Sequence, residues 1–162
     1  MTASDLVGLV ARGLLAGVFA FAATAKFRDR TATRAALVAS GLSPGLDGSL
    51  VLVEAFTALG LLVERRTVWA AWVACGVLVI FTVFVARSLA RGVRAPCPCF
   101  GSGPNAGPIS GRTLARNLGL CAIAVLATVP SSSRYWITWV TAALVVLGLS
   151  ARRRFSSRPA MP

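Results

Sequence analysis

Cys97 and Cys99 are the residues whose type and spacing are best suited to chemistry. They stand one residue apart in the stretch APCPCFGS, residues 95–102 of the 162-residue chain. A thiolate beside a second cysteine is the arrangement used in thiol–disulfide exchange, where one sulfur attacks a partner disulfide and the other resolves the mixed intermediate. A disulfide between them would close a small, strained ring that is easily reduced. The pair therefore suits turnover better than permanent cross-linking.

The loop that carries these thiols, residues 87–112, has a composition that favours reactive sulfur. Its 26 residues include five glycines, four prolines, four arginines and no acid. Positive neighbours stabilise the thiolate form, which is the nucleophile. Pro98 limits the conformations between the cysteines, Phe100 follows them, and Gly101 allows the loop to fold back closely.

The spacing alone leaves other interpretations open. A structural disulfide, a pair of inert thiols and two ligands for a soft metal such as Cu(I) all fit it. Tetrahedral zinc would need two more ligands, and the loop holds no further cysteine while the chain holds no histidine. The other cysteines, Cys75 and Cys121, lie in apolar runs and are expected to be packing residues.

The elements that must position the loop are those of a membrane protein. Hydrophobic residues make up 56% of the chain and charged residues 14%, against about 25% in soluble domains. Mean hydropathy is +0.75. The absence of histidine excludes histidine-ligated haem and histidine-based catalytic triads. The length fits a single membrane domain over residues 1–162.

The apolar runs predict an all-α, multi-pass helical bundle. A bilayer core takes roughly 20 apolar residues as helix, and backbone in lipid must be hydrogen-bonded internally. The predicted helices cover about residues 6–25, 46–63, 67–86, 114–129 and 135–151. Five spans result, or four if the last helix lies flat on the surface. The cysteines fall in the polar loop between the third and fourth helices.

The cations are unevenly distributed between the two faces of the membrane. With five spans, loop 26–45, loop 87–112 and the basic tail 152–162 share one face, which we call the basic face. With their flanking residues they carry 13 of the 17 Lys and Arg residues, against 4 on the opposite face. The positive-inside rule makes the basic face cytoplasmic. Anionic lipid headgroups explain the excess charge better than nucleic acid, because no base-stacking aromatics accompany it.

Several polar residues at the ends of apolar runs also fall at the basic face. Lys26 and Arg87 are expected to be headgroup anchors whose ammonium or guanidinium group snorkels to water. Glu54, the only acid within an apolar run, is expected to face the bundle interior. It would either pair with Lys26 or Arg116, or take part in chemistry. Arg116 and Asn117 open the fourth helix and could tie helix ends together.

Two features of the first helix concern packing. Gly13 and Gly17 have the spacing that allows close approach of another helix. Arg12 is expected to reach toward the opposite face, in the direction of Glu64.

Taken together, these motifs resemble a known family. CPCFG at 97–101, RNLGL at 116–120 and the acid within LVEAFTALGLL at 52–62 are similar to the methylamine-utilisation membrane protein family, MauE, in the broader DoxX-like group. The resemblance runs from about residue 6 to residue 128. CPCFG followed by RNLGL at the start of the next helix is its most specific part.

The resemblance implies a function in the cell membrane, either plasma or inner. The family is associated with forming or maintaining disulfides in exported proteins, as in maturation of methylamine dehydrogenase, together with a thioredoxin-like partner. Cys97 and Cys99 would be the redox pair. The polar residues around them would be Lys26, Glu54, Arg116 and Asn117.

Two questions stay open at this point. If the protein acts on exported proteins, CPCFG should lie on the outer face of the membrane. The count of Lys and Arg residues instead places CPCFG on the cytoplasmic face. The protein could be an oxidoreductase, or an accessory to one, that passes electrons on to a quinone or another membrane protein. It could instead be a non-enzymatic scaffold or a soft-metal-binding protein in a redox complex, and its oligomeric state is left open.

Overall fold

A computed structural model describes residues 3–39, 41–63, 69–92, 109–128 and 136–156, which form six helices and, within these ranges, no strand. In chain order the helices are α1 (Ala3–Arg28), α2 (Arg30–Ala39), α3 (Leu46–Val63), α4 (Trp69–Ala90), α5 (Gly111–Ala127) and α6 (Trp136–Ser156). The prediction of an all-α fold is confirmed for the described part of the chain.

Three of these helices, α1, α3 and α4, are long and apolar enough to cross a membrane. Helix α5 has 17 residues, and the apolar part of α6, Ile137–Ser150, is shorter still. The structure therefore supports a membrane protein with at least these three candidate spans, and the count of four or five spans stays a prediction.

Helix α1 is the central element of the bundle. It contacts α3, α5 and α6, and most of its apolar stretch is buried, whereas α3 and α4 bury a much smaller share. Small residues such as Ala11, Ala16 and Ala22 line its buried surface. They allow neighbouring backbones to approach from several directions, which is how helices associate in lipid.

The contact between α1 and α6 depends on Gly13 and Gly17. A β-carbon on Gly13 would lie 2.7 Å from the Thr138 carbonyl oxygen, and one on Gly17 would lie 2.7 Å from the Val145 Cβ. Neither glycine can therefore be replaced without separating the helices. The close packing that the glycine spacing predicts is confirmed, with α6 as its partner.

Helix α2 lies in a region that the sequence predicts to be a loop, residues 26–45, so that prediction is wrong for Arg30–Ala39. Asp29 separates α2 from α1, and its carboxylate accepts a hydrogen bond from the Ala32 N–H at 3.0 Å. Asp29 thus acts as the N-cap. Thr33, Ala36 and Leu37 form a buried stripe at helical spacing. The Asp29 cap and the buried stripe can both be recognised in the sequence.

The helices alternate in direction, which brings specific ends together at the basic face. Helix α1 ends there and α3 begins there. Val85 of α4 packs against Ile109, just before α5, so the end of α4 and the start of α5 also meet. Cys97 and Cys99, with the rest of residues 93–108, lie outside the described residues.

Candidate functional site at the basic face

A buried ion pair joins α1 to α3. The Lys26 Nζ donates to the Glu54 Oε1 at 2.5 Å, and the two side chains are 0% and 2% exposed. The interpretation of Lys26 as a headgroup anchor is therefore wrong, because its ammonium points into the bundle. The prediction that Glu54 faces inward is confirmed, and of the two partners that the sequence left open, Lys26 and Arg116, the ion pair is with Lys26.

The position of Lys26 on α1 explains why it turns inward. It lies in the last turn of the helix, where Asp29 immediately redirects the chain into α2. Side chains on a helix lean toward its N-terminus, so the Lys26 side chain runs back into the bundle and not outward. Glu54 lies two turns into α3 and provides the charge that an ammonium requires in an apolar setting.

The ring of Phe81 on α4 adds a third contact to the pair. The Lys26 Nζ lies 6.0 Å from the ring centroid, at the limit of a cation–π interaction. Phe81 also packs against the cluster formed by Val85 and Ile109. Nothing in the sequence distinguishes Phe81 as a contact of Lys26, because a single phenylalanine is common in an apolar run.

One oxygen of the Glu54 carboxylate has no partner within the described residues. Glu54 Oε2 is buried and accepts no hydrogen bond from the described residues. A buried acceptor without a partner costs roughly 1 to 3 kcal/mol. The pair is therefore poorly optimised as a purely structural contact.

Asn117 on α5 shows the same feature more strongly. Its side chain is buried, yet neither its Nδ2 nor its Oδ1 forms a hydrogen bond within the described part of the chain. Asn117 lies in the second turn of α5, in the half of that helix nearer the basic face. Such orphaned groups usually mark a bound water, a ligand or a catalytic role. The sequence reveals the burial of neither Asn117 nor Lys26.

The other predicted polar residues lie near the helix ends at the basic face. Arg116 is exposed on α5, and Arg87 is exposed in the last turn of α4. The structure thus brings Lys26 and Glu54 into contact and places Arg87 and Arg116 on the surface. An exposed Arg87 agrees with its predicted role at the headgroups.

A second ion pair at the basic face differs from the first because one of its side chains is exposed. Arg34 Nε on α2 lies 3.1 Å from Asp47 Oδ2 on α3, and the arginine side chain is 54% exposed. An exposed partner is screened by solvent and contributes little to stability. The pair fastens α2 to the start of α3 without entering the bundle core.

Arg12 occupies the other half of α1. Its Nε donates to the Ala127 carbonyl at 3.0 Å, and the side chain is buried. Ala127 is the last residue of α5, where free carbonyls and the helix dipole attract a cation. The prediction that Arg12 reaches toward the opposite face is confirmed in direction, while Glu64 lies outside the described residues.

Cys75 and Cys121 behave as packing residues. Both are partly buried against the apolar core, and neither forms a disulfide. The Cys121 sulfur lies 3.6 Å from the Thr82 hydroxyl, which itself donates to the Leu78 carbonyl at 2.7 Å. These contacts account for both thiols without assigning them chemistry.

The remaining predicted site residues are those of the loop motif. Cys97, Pro98, Cys99, Phe100 and Gly101 all lie outside the described residues. The nearest described residues along the chain are Gly92, five residues before Cys97, and Ile109, eight residues after Gly101. Five extended residues span at most about 18 Å.

Comparison with known proteins identifies one family. No curated protein and no solved structure matches the chain. A family model described as methylamine utilisation protein MauE matches residues 4–130. That match covers the CPC segment, the Lys26–Glu54 pair and Asn117, and it ends just after α5. The chain belongs to the methylamine utilisation protein MauE family.

Proposed function

We propose that this protein is a multi-pass plasma-membrane protein for thiol–disulfide exchange, or an accessory to such exchange. It would use Cys97 and Cys99 to exchange electrons with a thioredoxin-like partner. The process served would be maturation of proteins needed for methylamine utilisation, in keeping with the family to which the chain belongs.

The observation that carries the proposal is the incompletely satisfied polar core at the basic face. Lys26 and Glu54 are fully buried there, and one Glu54 oxygen and the Asn117 amide have no hydrogen-bond partner among the described residues. A bundle that needed only stability would place apolar residues at these positions. Polar groups retained at such a cost inside a membrane protein usually serve chemistry.

Thiol–disulfide exchange is a reaction that the buried polar groups of Lys26, Glu54 and Asn117 would assist. When a dithiol reduces a partner disulfide, one thiolate attacks, a mixed disulfide forms, and the second thiolate displaces the partner. The dithiol becomes a disulfide, and the partner leaves with two electrons and, after protonation, two protons. A carboxylate paired with an ammonium can accept and return protons, and a fixed cation favours thiolate over thiol.

Connectivity supports a common location for the thiols and the polar core. The segment with Cys97 and Cys99 starts at the end of α4 and returns at the start of α5, and these two ends meet through Val85 and Ile109. Helices α1 and α3 contribute the Lys26–Glu54 pair to the same half of the bundle.

The direct test is to trap a mixed disulfide. In a Cys75→Ala/Cys121→Ala background, the variants Cys97→Ser and Cys99→Ser would each be incubated with an oxidised thioredoxin-like protein. We expect one single variant to accumulate an adduct that dithiothreitol releases, because its resolving thiol is missing. The Cys97→Ser/Cys99→Ser double variant is the matched control and should form none.

Two results would contradict the proposal. An adduct formed by Cys97→Ser/Cys99→Ser in a chain that keeps Cys75 and Cys121, with none from the single variants, would show that the loop thiols are not the nucleophiles. No adduct from either single variant, together with stoichiometric Cu(I) binding that both cysteines are needed for, would favour the soft-metal-binding alternative.

The face on which exchange occurs is tested separately, on intact cells. A bulky maleimide that cannot cross the membrane would be applied to the Cys75→Ala/Cys121→Ala protein with and without prior reduction. Labelling of two thiols from outside only after reduction would indicate an outward disulfide. Labelling only after permeabilisation would place the pair inside, as the cation count predicts.

A further inference from the structure

An open groove runs along the outer face of α4 at the basic face. It has a volume of about 480 Å³, within the range of small-molecule sites. One side is the surface of α4, and the other is the connection between α2 and α3. None of the polar core residues, Lys26, Glu54 or Asn117, lines it.

The α4 side of the groove changes character along the helix. Its lining begins with Val79, Ile80, Val83 and Phe84 and ends with Arg87 and Arg91. These positions recur every three to four residues, so they form one continuous stripe. From Val79 to Arg91 the stripe extends about 18 Å at the helical rise. The groove is therefore apolar at the Val79 end and cationic at the Arg91 end, which is nearer the basic face.

The two arginines stand one turn apart. The Arg91 N–H donates to the Arg87 carbonyl at 3.1 Å, which continues the helical turn just beyond α4. Both side chains are exposed, and none of the described residues that line the groove is acidic. The planar donor groups of arginine match phosphate oxygens in geometry and charge.

The opposite wall is formed by a defined turn. Gly41 adopts a left-handed φ of 75°, and the N–H groups of Gly41 and Leu42 donate to the Val38 and Leu37 carbonyls at 2.9 Å each. These two bonds are those of a Schellman motif, which ends α2 and fixes the direction of the chain. Leu42 is thereby held at the rim of the groove.

We propose that this groove binds one anionic phospholipid. Its phosphate would lie between Arg87 and Arg91, and an acyl chain would follow the apolar stripe toward Val79. The order of apolar and cationic groups along α4 is that of a lipid in a leaflet, with the headgroup at the basic face. This site is independent of thiol exchange, and its test does not depend on the loop cysteines.

The binding test uses native mass spectrometry of the purified full-length protein in detergent. Phosphatidylglycerol and phosphatidylcholine with identical chains would be titrated in parallel. We expect one phosphatidylglycerol to bind on the order of tenfold more tightly than phosphatidylcholine, given two cations near the headgroup. The variant Arg87→Gln/Arg91→Gln should lose that preference.

The matched control is Arg28→Gln/Arg112→Gln. It also removes two positive charges, from exposed positions at the basic face that do not line the groove. We expect it to retain the preference. An equal loss in both double variants would overturn the site, because the effect would then be one of net charge.

The apolar half of the groove is tested by placing a larger side chain in it. Val83→Trp should weaken phosphatidylglycerol binding several-fold, whereas Val125→Trp, at an exposed position on α5 that does not line the groove, should not. Inorganic phosphate at millimolar concentration should fail to displace the lipid. Displacement by phosphate, or by a long-chain quinone at equal concentration, would overturn the assignment to a phospholipid, as would equal binding of phosphatidylcholine.

Discussion

Helix α1 contacts α6 and α3 by opposite means. Gly13 and Gly17, near the middle of α1, bring the backbone of α6 within contact distance, and no charge takes part in that contact. In the second half, Lys26 reaches Glu54 of α3 through a buried ion pair. The first contact joins small apolar groups, whereas the second joins long charged side chains and leaves one Glu54 oxygen without a hydrogen-bond partner in the described part of the chain.

The difference indicates which of these two helix contacts is specialised. Close packing of small residues is sufficient to associate helices in lipid, and the α1–α6 contact adds a neutral hydrogen bond from the Thr138 hydroxyl to the Leu9 carbonyl at 3.4 Å. A buried ion pair is seldom better than an apolar pair of the same volume, yet the second half of α1 uses one. We attribute this to function, since the segment with Cys97 and Cys99 joins the bundle at that end.

The largest effect is expected from removing one member of the ion pair. Lys26→Met would leave the Glu54 carboxylate buried without its cation, at a cost of about 3 to 5 kcal/mol in the free energy of unfolding. SDS titration in mixed micelles measures this change. Arg34→Met, which removes the exposed partner of Asp47, is the control and should cost much less. Equal losses would contradict the distinction between the two pairs.

The next effect concerns the glycine contact. Gly17→Ala places a β-carbon 2.7 Å from the Val145 Cβ and 2.9 Å from the Ala142 carbonyl oxygen, so the helices must separate. We expect a loss of about 1 to 3 kcal/mol in the same assay.

Gly76→Ala is the matched control for that substitution. No atom lies within 4 Å of a β-carbon at Gly76 on α4, so this change should stabilise the helix by up to about 1 kcal/mol. The same substitution would thus have opposite signs at the two positions. Equal signs would show that α1 and α6 do not pack as closely as described.

Asn117→Leu should stabilise the protein. It removes two buried polar atoms that have no hydrogen-bond partner in the described structure, for a gain of about 1 to 2 kcal/mol. Thiol exchange should fall at the same time. Thr57→Val is the control, because its hydroxyl is already bonded to the Val53 carbonyl at 2.7 Å, and its removal should destabilise. A destabilised Asn117→Leu would argue that the amide is structurally satisfied.

The smallest effect is expected for the helix cysteines. Cys75→Ala/Cys121→Ala removes two partly buried sulfur atoms from the apolar core, at a cost of about 1 kcal/mol per site or less. Exchange by the loop thiols should be unchanged. Loss of mixed-disulfide trapping in this background, relative to a chain with all four cysteines, would assign these thiols a redox role.

The sequence predicts the long helices well because their signal is local. Helix α3 covers the predicted range 46–63, α1 extends the predicted range 6–25 by three residues at each end, and α4 runs four residues past the predicted end at residue 86. Helix α2 is missed because its ten residues contain only a narrow apolar stripe between charged residues. Its signals, the Asp29 cap and the spacing of Thr33, Ala36 and Leu37, need to be considered together.

The site is only partly predictable because its contacts join distant parts of the chain. That Glu54 would face inward follows from an acid in an apolar run, but the choice of Lys26 as its partner depends on how α1 packs against α3. The contact of Phe81 with Lys26 and the burial of Asn117 likewise depend on packing. The glycine spacing predicts close packing, yet nothing local identifies α6 as the neighbour.

One measurement tests most directly whether the polar half of the bundle is retained for function. The variant Lys26→Met/Glu54→Leu, made without Cys75 and Cys121, replaces both charges by apolar groups of similar size. We predict a free energy of unfolding within about 1 kcal/mol of the background protein, or above it. The rate at which dithiothreitol and an oxidised thioredoxin-like protein exchange with Cys97 and Cys99 should fall about tenfold or more. A stable variant with unchanged exchange would contradict the account, because the ion pair would then be a packing element only.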